Sequence, residues 1–244
     1  MEDIPRQVKR AARRIACIGI AFHLALSYME SAERDVEVGI SCDGTIPLIR
    51  IVDRGGCSEP LDDFRRGVEK TLRVPVIEYS VECANDGWGV SIDHLLDQAE
   101  KVVAKDLVPW AANLAQRRVE YFVLLGWNGE VAVGAGSEDK VELPSIPGTY
   151  FIHTHPNSTC YPSWRDLESA ADFMAQGGLG EVIVSRSCWS AIRLQGPFLE
   201  DDYWTLLDVA RCAKSASARK DGTESYLRCL SRLGFLRSVR FRVG

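Results

Sequence analysis

The period of apolar and polar positions changes along the chain, and each change predicts an element. The apolar run Ile15 to Leu26 lies inside a longer stretch, about Pro5 to Met29, that reads as an amphipathic or buried helix. Val36-Glu37-Val38-Gly39-Ile40 alternates with a period of two, and Ile46 to Val52 is a short apolar run. With the Asp43-Gly44 turn signal between them, the two predict a hairpin. Pro60 to Leu72 reads as a short helix, and Val74 to Val81 as a strand that Pro75 pushes to a sheet edge. Ala84-Asn85-Asp86-Gly87 is the candidate boundary after this N-terminal α+β unit.

From Gly89 the pattern predicts a short strand at Val90 and Ile92, then a helix with Leu95, Ala99, Val102 and Val103 on one face, which Pro109 should end or kink. A further helical stretch through Trp110 and Leu114 leads into a strand, Tyr121 to Trp127, which turns at Asn128-Gly129 and returns through Val131 to Val133. Val141 to Leu143 and Tyr150 to His155 are strand-like. A helix from about Ser163 to Gln176 is closed by Gly177-Gly178. Two more strands, Glu181 to Ser185 and Trp189 to Leu194, precede a helical, basic C-terminus. The class is α/β, without repeats or low-complexity tracts.

Composition narrows the function classes. A chain of 244 residues with 46% apolar and 26% charged positions is globular, large enough for one large or two small domains. Its net charge of −5 argues against a polyanion as main partner. From Arg211 onward, however, nine Lys/Arg face only Asp221 and Glu224, a local +7 that leaves −12 on residues 1–210. A solvated helix and edge strand explain that basic tail without any function. Lys9, Arg10, Arg13 and Arg14 before the apolar run mimic a signal peptide, but Glu2, Asp3 and His23 and the missing small-x-small cleavage site speak against one. The expectation is a cytoplasmic protein without a membrane span.

The eight cysteines include no C-x-x-C pair, and Asn plus Gln total nine, a depletion seen in thermophile proteins, whose cytosols tolerate structural disulfides.

The chain has four histidines, and His153 and His155 stand two apart. On a strand, residues i and i+2 project to one face, so both imidazoles can reach one metal ion. Pro156 ends the strand, and after a short loop Asp166 offers a carboxylate. Two His and one acid with a position left for water make a catalytic zinc site. Ser163 with Asp166 three residues on also fits a capping-box-like helix start that needs no catalysis, and the two readings are compatible. His23 and His94 read as ordinary helix residues. The six dispersed tryptophans suit packing better than base stacking, and the H-x-E and P-C-x-x-C patterns of cytidine deaminases are absent.

His153-Thr154-His155-Pro156, seven residues from Pro156 to Pro162, then Ser163-Trp164-Arg165-Asp166 resembles H-x-H-x7-S-x2-D, the signature of the JAMM/MPN zinc metalloproteases, particularly the prokaryotic and archaeal members. The resemblance covers about Asp86 to Gln195. It implies a cytidine-deaminase-like sheet flanked by helices in residues 86–200, after an N-terminal α+β unit of 1–85 and before a helical C-terminal extension of 201–244. It also implies that His153, His155 and Asp166 hold Zn²⁺, and that Glu120, followed after five residues by Gly126, is the general base. Ser163 would donate to the developing oxyanion. Glu130, Glu138 and Glu142 are rivals for the base but fall beyond the glycine. Two departures are Val123 where many members have glycine, and a short Gly126 to Tyr150 segment without the usual helix.

Cys160 is a soft ligand candidate, but His, His, Asp and water already complete a tetrahedron, so a packed or disulfide-bonded cysteine restraining the loop fits better. The implied activity is hydrolysis of peptide or isopeptide bonds at the C-terminus of ubiquitin or a ubiquitin-like modifier, whose conjugates would be the partners. A homodimer is compatible with the sequence, and nucleic acid is a weaker partner. The competing reading is a scaffold or interaction module of the same fold without protease activity.

Overall fold

The computed structural model describes residues 3–43, 46–57, 60–73, 78–136, 147–156, 159–217 and 222–244. The chain is mixed α/β and divides into two compact units. One comprises Met1–Pro109, Leu125–Ala132 and Pro147–Thr149, and the other Trp110–Leu124, Val133–Ile146 and Tyr150–Gly244.

In the first unit, helix α1 (Arg6–Ala32) is buried along most of its middle, from Ile15 through Phe22 and again at Leu24 and Ala25. The helix outruns its apolar core, and its 27 residues would be long and apolar enough to cross a membrane. Here it packs against α2 (Leu61–Leu72), α3 (Ile92–Val102) and β1 (Glu37–Ser41). A helix apolar around its circumference needs such cover on every side.

β1 pairs antiparallel with β2 (Leu48–Val52), as the alternation predicts, although Gly44 of the expected turn lies outside the described residues. β3 (Ser80–Ala84) lies parallel to β2 at the sheet edge, later than the expected Val74 to Val81, of which residues 74–77 are outside the description.

Three expectations change here. Val90 makes only an isolated bridge to Val38, and Ile92 opens α3 instead of continuing a strand. Pro109 neither ends nor breaks the helical path. A π-helical turn, Val103–Leu107, precedes it, with the Val108 N–H bonded back to Val103 O, and α4 (Val108–Leu114) carries Pro109 in its first turn. The widened ladder absorbs the missing proline N–H. The compact unit also does not stop at residue 85, because α3 covers α1 and so belongs with it.

Among the described residues the larger sheet has six strands in the order β5-β4-β6-β7-β8-β9. These are β4 (Tyr121–Leu125), β5 (Val131–Ala135), β6 (Tyr150–Thr154), β7 (Gly180–Val184), β8 (Trp189–Leu194) and β9 (Val239–Val243). Gly129, at φ +76, turns the chain between β4 and β5. Tyr121 N donates to Thr154 Oγ1 and Thr149 N to Leu125 O, so β4 runs antiparallel to β6.

β6 and β7 are parallel, β8 is antiparallel to β7, and β9 is antiparallel to β8. A parallel pair needs a crossover, which α5 (Trp164–Ala175) supplies before Gly177, at φ +96, releases the chain. α6 (Glu200–Ser217) packs on α5, and α7 (Gly222–Leu230) on α6. Residues 201–244 are therefore not a purely helical appendage, since β9 completes the sheet. Val141 to Leu143, Glu138 and Glu142 lie outside the described residues.

Candidate metal centre

β6 and β7 are buried at every position. Parallel strands covered on both faces read as nearly continuous apolar runs, so polar residues within them are conspicuous. His153 belongs to β6, and His155 follows its last residue, kept in line by its N–H bond to Val184 O at 2.9 Å. Both histidines are buried. Thr154, between them, receives the Tyr121 N–H on its hydroxyl, which identifies Thr154 as the member of the triplet turned toward β4.

Asp166 enters from the first turn of α5. Ser163 caps that helix: its Oγ accepts from Asp166 N at 3.2 Å, while Asp166 Oδ2 accepts from Ser163 N in a short hydrogen bond. The capping box is therefore present, and it aims the same carboxylate at the histidines. His153 Nε2 and His155 Nε2 are 3.1 Å apart, Asp166 Oδ1 is 3.4 Å from the first, and Oδ2 is 3.5 Å from the second. Ligands about 2.0–2.1 Å from a common centre at the tetrahedral angle lie about 3.3 Å from one another. The two histidine nitrogens stand slightly closer than that, and each carboxylate oxygen stands at about that distance from one of them. Among the described residues these three form the group of His, Cys, Asp or Glu side chains able to hold a metal ion.

The remaining ring nitrogens test the fit. His155 Nδ1 is 3.1 Å from the Thr159 carbonyl, which can only accept, so Nδ1 carries the hydrogen and Nε2 the lone pair. His153 Nδ1 lies 3.2 Å from Glu181 Oε1, although not aligned as a hydrogen bond, and neither Glu181 oxygen has a hydrogen-bond partner. Two imidazole Nε2 atoms and a carboxylate thus converge on one point, and with both rings neutral they form a donor set suited to a divalent cation.

The charges respond to that crowding. Burial works against the charged form of His153, but the Asp166 carboxylate and then Glu181 outweigh it and hold the imidazole up at about 10. Burial likewise opposes ionisation of Asp166, and His153 with His155 overcomes it, keeping the carboxyl well below its ordinary range. Glu181, wholly buried, is pushed up by burial despite His153.

Glu120 is half-buried just before β4, beside the H-x-H strand: its own carbonyl accepts from Gly136 N, and the next residue bonds Thr154. Its rival Glu130 is exposed in the β4–β5 turn. Cys160 is bridged to Cys188 and so is no ligand, and all eight cysteines are paired, the others as Cys17–Cys42, Cys57–Cys83 and Cys212–Cys229. His23 lies in α1 against the edges of Phe22 and Trp127, and His94 is exposed on α3.

Two residues near the centre have no signal in sequence spacing. Glu181 reaches His153 through strand register. Tyr226 on α7 has its hydroxyl pushed up first by burial and then by the Asp166 carboxylate, which places the C-terminal helix within electrostatic reach of the site. Compared with known proteins, the chain matches no family model, and no curated protein matches its sequence.

Proposed function

We propose that the chain is a zinc-dependent metallopeptidase of JAMM/MPN type, acting on peptide or isopeptide bonds at the C-terminus of a ubiquitin-like small modifier. The observation that carries this reading is the convergence of His153, His155 and Asp166 within metal-binding distance of one another, on the residues the H-x-H-x7-S-x2-D pattern nominates. The parallel β6-α5-β7 crossover, with the site at the carboxyl end of β6 and the first turn of α5, supports the JAMM/MPN arrangement.

His153, His155 and Asp166 would hold the zinc ion, which when bound would supply Lewis acidity toward the scissile carbonyl and make water acidic enough to attack near neutral pH. Glu120 accepts the proton of the attacking water on its carboxylate and returns it to the leaving amine nitrogen. Ser163 Oγ already accepts from Asp166 N, so its own hydrogen is the one it offers to the developing oxyanion. Such a donor is worth about a hundredfold in rate. The capping box holds Ser163 and Asp166 in fixed relation, so donor and ligand are positioned by the same helix turn.

The test is cleavage of small-modifier conjugates with and without chelator, beside metal analysis of the purified protein. Stoichiometric zinc, with cleavage lost to chelator and restored by zinc, is expected. Protein that binds no zinc and cuts no conjugate would overturn the proposal in favour of an interaction module.

A further inference from the structure

β7 reads Gly-Glu-Val-Ile-Val, and Glu181 is fully buried within it. Moving a carboxylate out of water costs several kcal/mol even after the surroundings relax, yet neither oxygen of Glu181 receives a hydrogen bond. Fold stability therefore gives no reason for an acid there, and an apolar or amide side chain would serve the strand better. Its surroundings give another reason.

In the parallel register Glu181 lies opposite Phe151 and Ile183 opposite His153, so Glu181 and His153 share the sheet face and stand one side-chain step apart. Glu181 Oε1 is 3.2 Å from His153 Nδ1, the ring nitrogen that points away from His155 and Asp166. Nothing else hydrogen-bonds that nitrogen among the described residues.

We propose that Glu181 is a positioning residue of the metal centre. It accepts the Nδ1 hydrogen of His153, fixes the tautomer that leaves Nε2 as the ligand atom, and completes the charge of the site. With Glu181, two neutral imidazoles and two carboxylates balance a divalent cation in a largely buried region; without it the same site would carry a net positive charge. At 3.2 Å Glu181 Oε1 already stands within hydrogen-bond distance of Nδ1. This inference rests on the metal reading of His153, His155 and Asp166, and not on peptidase activity.

A carboxylate that orients a ligating histidine is worth about 10–100-fold in metal affinity. Glu181→Gln is expected to weaken Zn²⁺ binding by that factor in competition with a chelator, while the metal-free protein unfolds at about the same denaturant concentration, because the relief of a buried carboxylate offsets its loss and Asp166 remains beside His153. A purely structural glutamate would give the opposite pair of results. The His153 Nδ1 proton resonance of the zinc-loaded protein, well downfield in the wild type, should move upfield in the variant.

If Glu181→Gln fails to fold, Glu181→Asp keeps the charge and withdraws it from Nδ1, and a severalfold loss of affinity is expected. Wild-type zinc affinity in either folded variant overturns the role of Glu181. Absence of zinc binding by the wild-type protein overturns the metal reading itself, so the two failures are distinct.

Discussion

Replacing Asp166 by asparagine separates two tasks of this side chain, the capping of α5 and its proposed place in a metal cluster. An asparagine amide oxygen accepts the N-cap N–H as a carboxylate oxygen does, so Asp166→Asn can keep the bond from Ser163 N and lose only the charge. In the metal-free protein the expected penalty is about 1–3 kcal/mol, the low side of breaking a buried ion pair, because Glu181 remains beside His153. Zinc should raise the stability of the wild type by about 2.7 kcal/mol when free metal exceeds the dissociation constant a hundredfold. For a chain of this size that is a rise of about 5–10 °C in the unfolding midpoint, and Asp166→Asn should show almost none of it. Ser163→Ala is the complementary variant: it removes the cap at a cost of about 1 kcal/mol and keeps the zinc-dependent rise. Thermal unfolding of the three proteins with and without zinc reads all of this. A wild-type-sized zinc shift in Asp166→Asn would show that the carboxylate is a helix cap and nothing more.

Glu120→Gln should retain stoichiometric zinc and lose at least a hundredfold in conjugate cleavage; retained turnover would remove Glu120 from the chemistry. Cys160→Ser with Cys188→Ser opens a loop between residues 28 apart, which loop-closure entropy values at about 3–4 kcal/mol. Chemical denaturation should show that loss, and chelator competition a weaker hold on zinc, because Thr159, whose carbonyl orients His155, adjoins Cys160. Unchanged zinc affinity would leave the bridge a purely structural role. Hydrogen bonds from Arg34, against the cost of burial and with help from Tyr28, hold Asp53 down at about 2. Its folded value lies below the unfolded one, so its stabilisation is complete above about pH 4 and disappears as pH falls through about 2. With solvent around Arg34 that amounts to about 1–2 kcal/mol. Asp53→Asn should flatten the stability profile across that interval, and an unchanged slope would refute the assignment.

The parts legible in sequence are those whose physics is local. His153 and His155 share a face because strand side chains alternate, and Ser163 and Asp166 meet because a capping box closes over three residues. At Pro109 the pattern left an end or a kink open; the helical path continues because one π-helical turn precedes the proline, and no residue pattern announces that turn. Ile92 misled because two apolar residues at i and i+2 fit a strand, but the first turn of α3 fits the second of them equally well. Glu181 was invisible because its partner lies across a crossover, where register and not spacing decides who meets whom. The disulfides were unreadable in the same way, since eight cysteines allow 105 connectivities, and strand order and helix packing select one.

The turn between β7 and β8 joins these separate features into one device. Cys188 in that turn is bonded to Cys160 in the ligand loop, and Ser190 Oγ donates to the Cys160 carbonyl. Ser185 Oγ accepts from Cys188 N at 3.3 Å and tightens the turn itself. From the same turn Arg186 reaches the carbonyls of Ala115 and Gln116 at 3.4 and 3.1 Å, just after α4 and a few residues before Glu120. One short turn therefore restrains both the loop that orients His155 and the segment that delivers the proposed base. Catalytic groups contributed by distant stretches of chain must stay in register to a fraction of an ångström. Side-chain anchors of this kind supply that constraint where neither stretch belongs to a regular element. Arg186→Ala should accordingly slow conjugate cleavage while leaving zinc content intact, since it frees the Glu120 segment and touches no ligand. Equal loss of zinc and activity would mean that the turn supports the metal cluster alone.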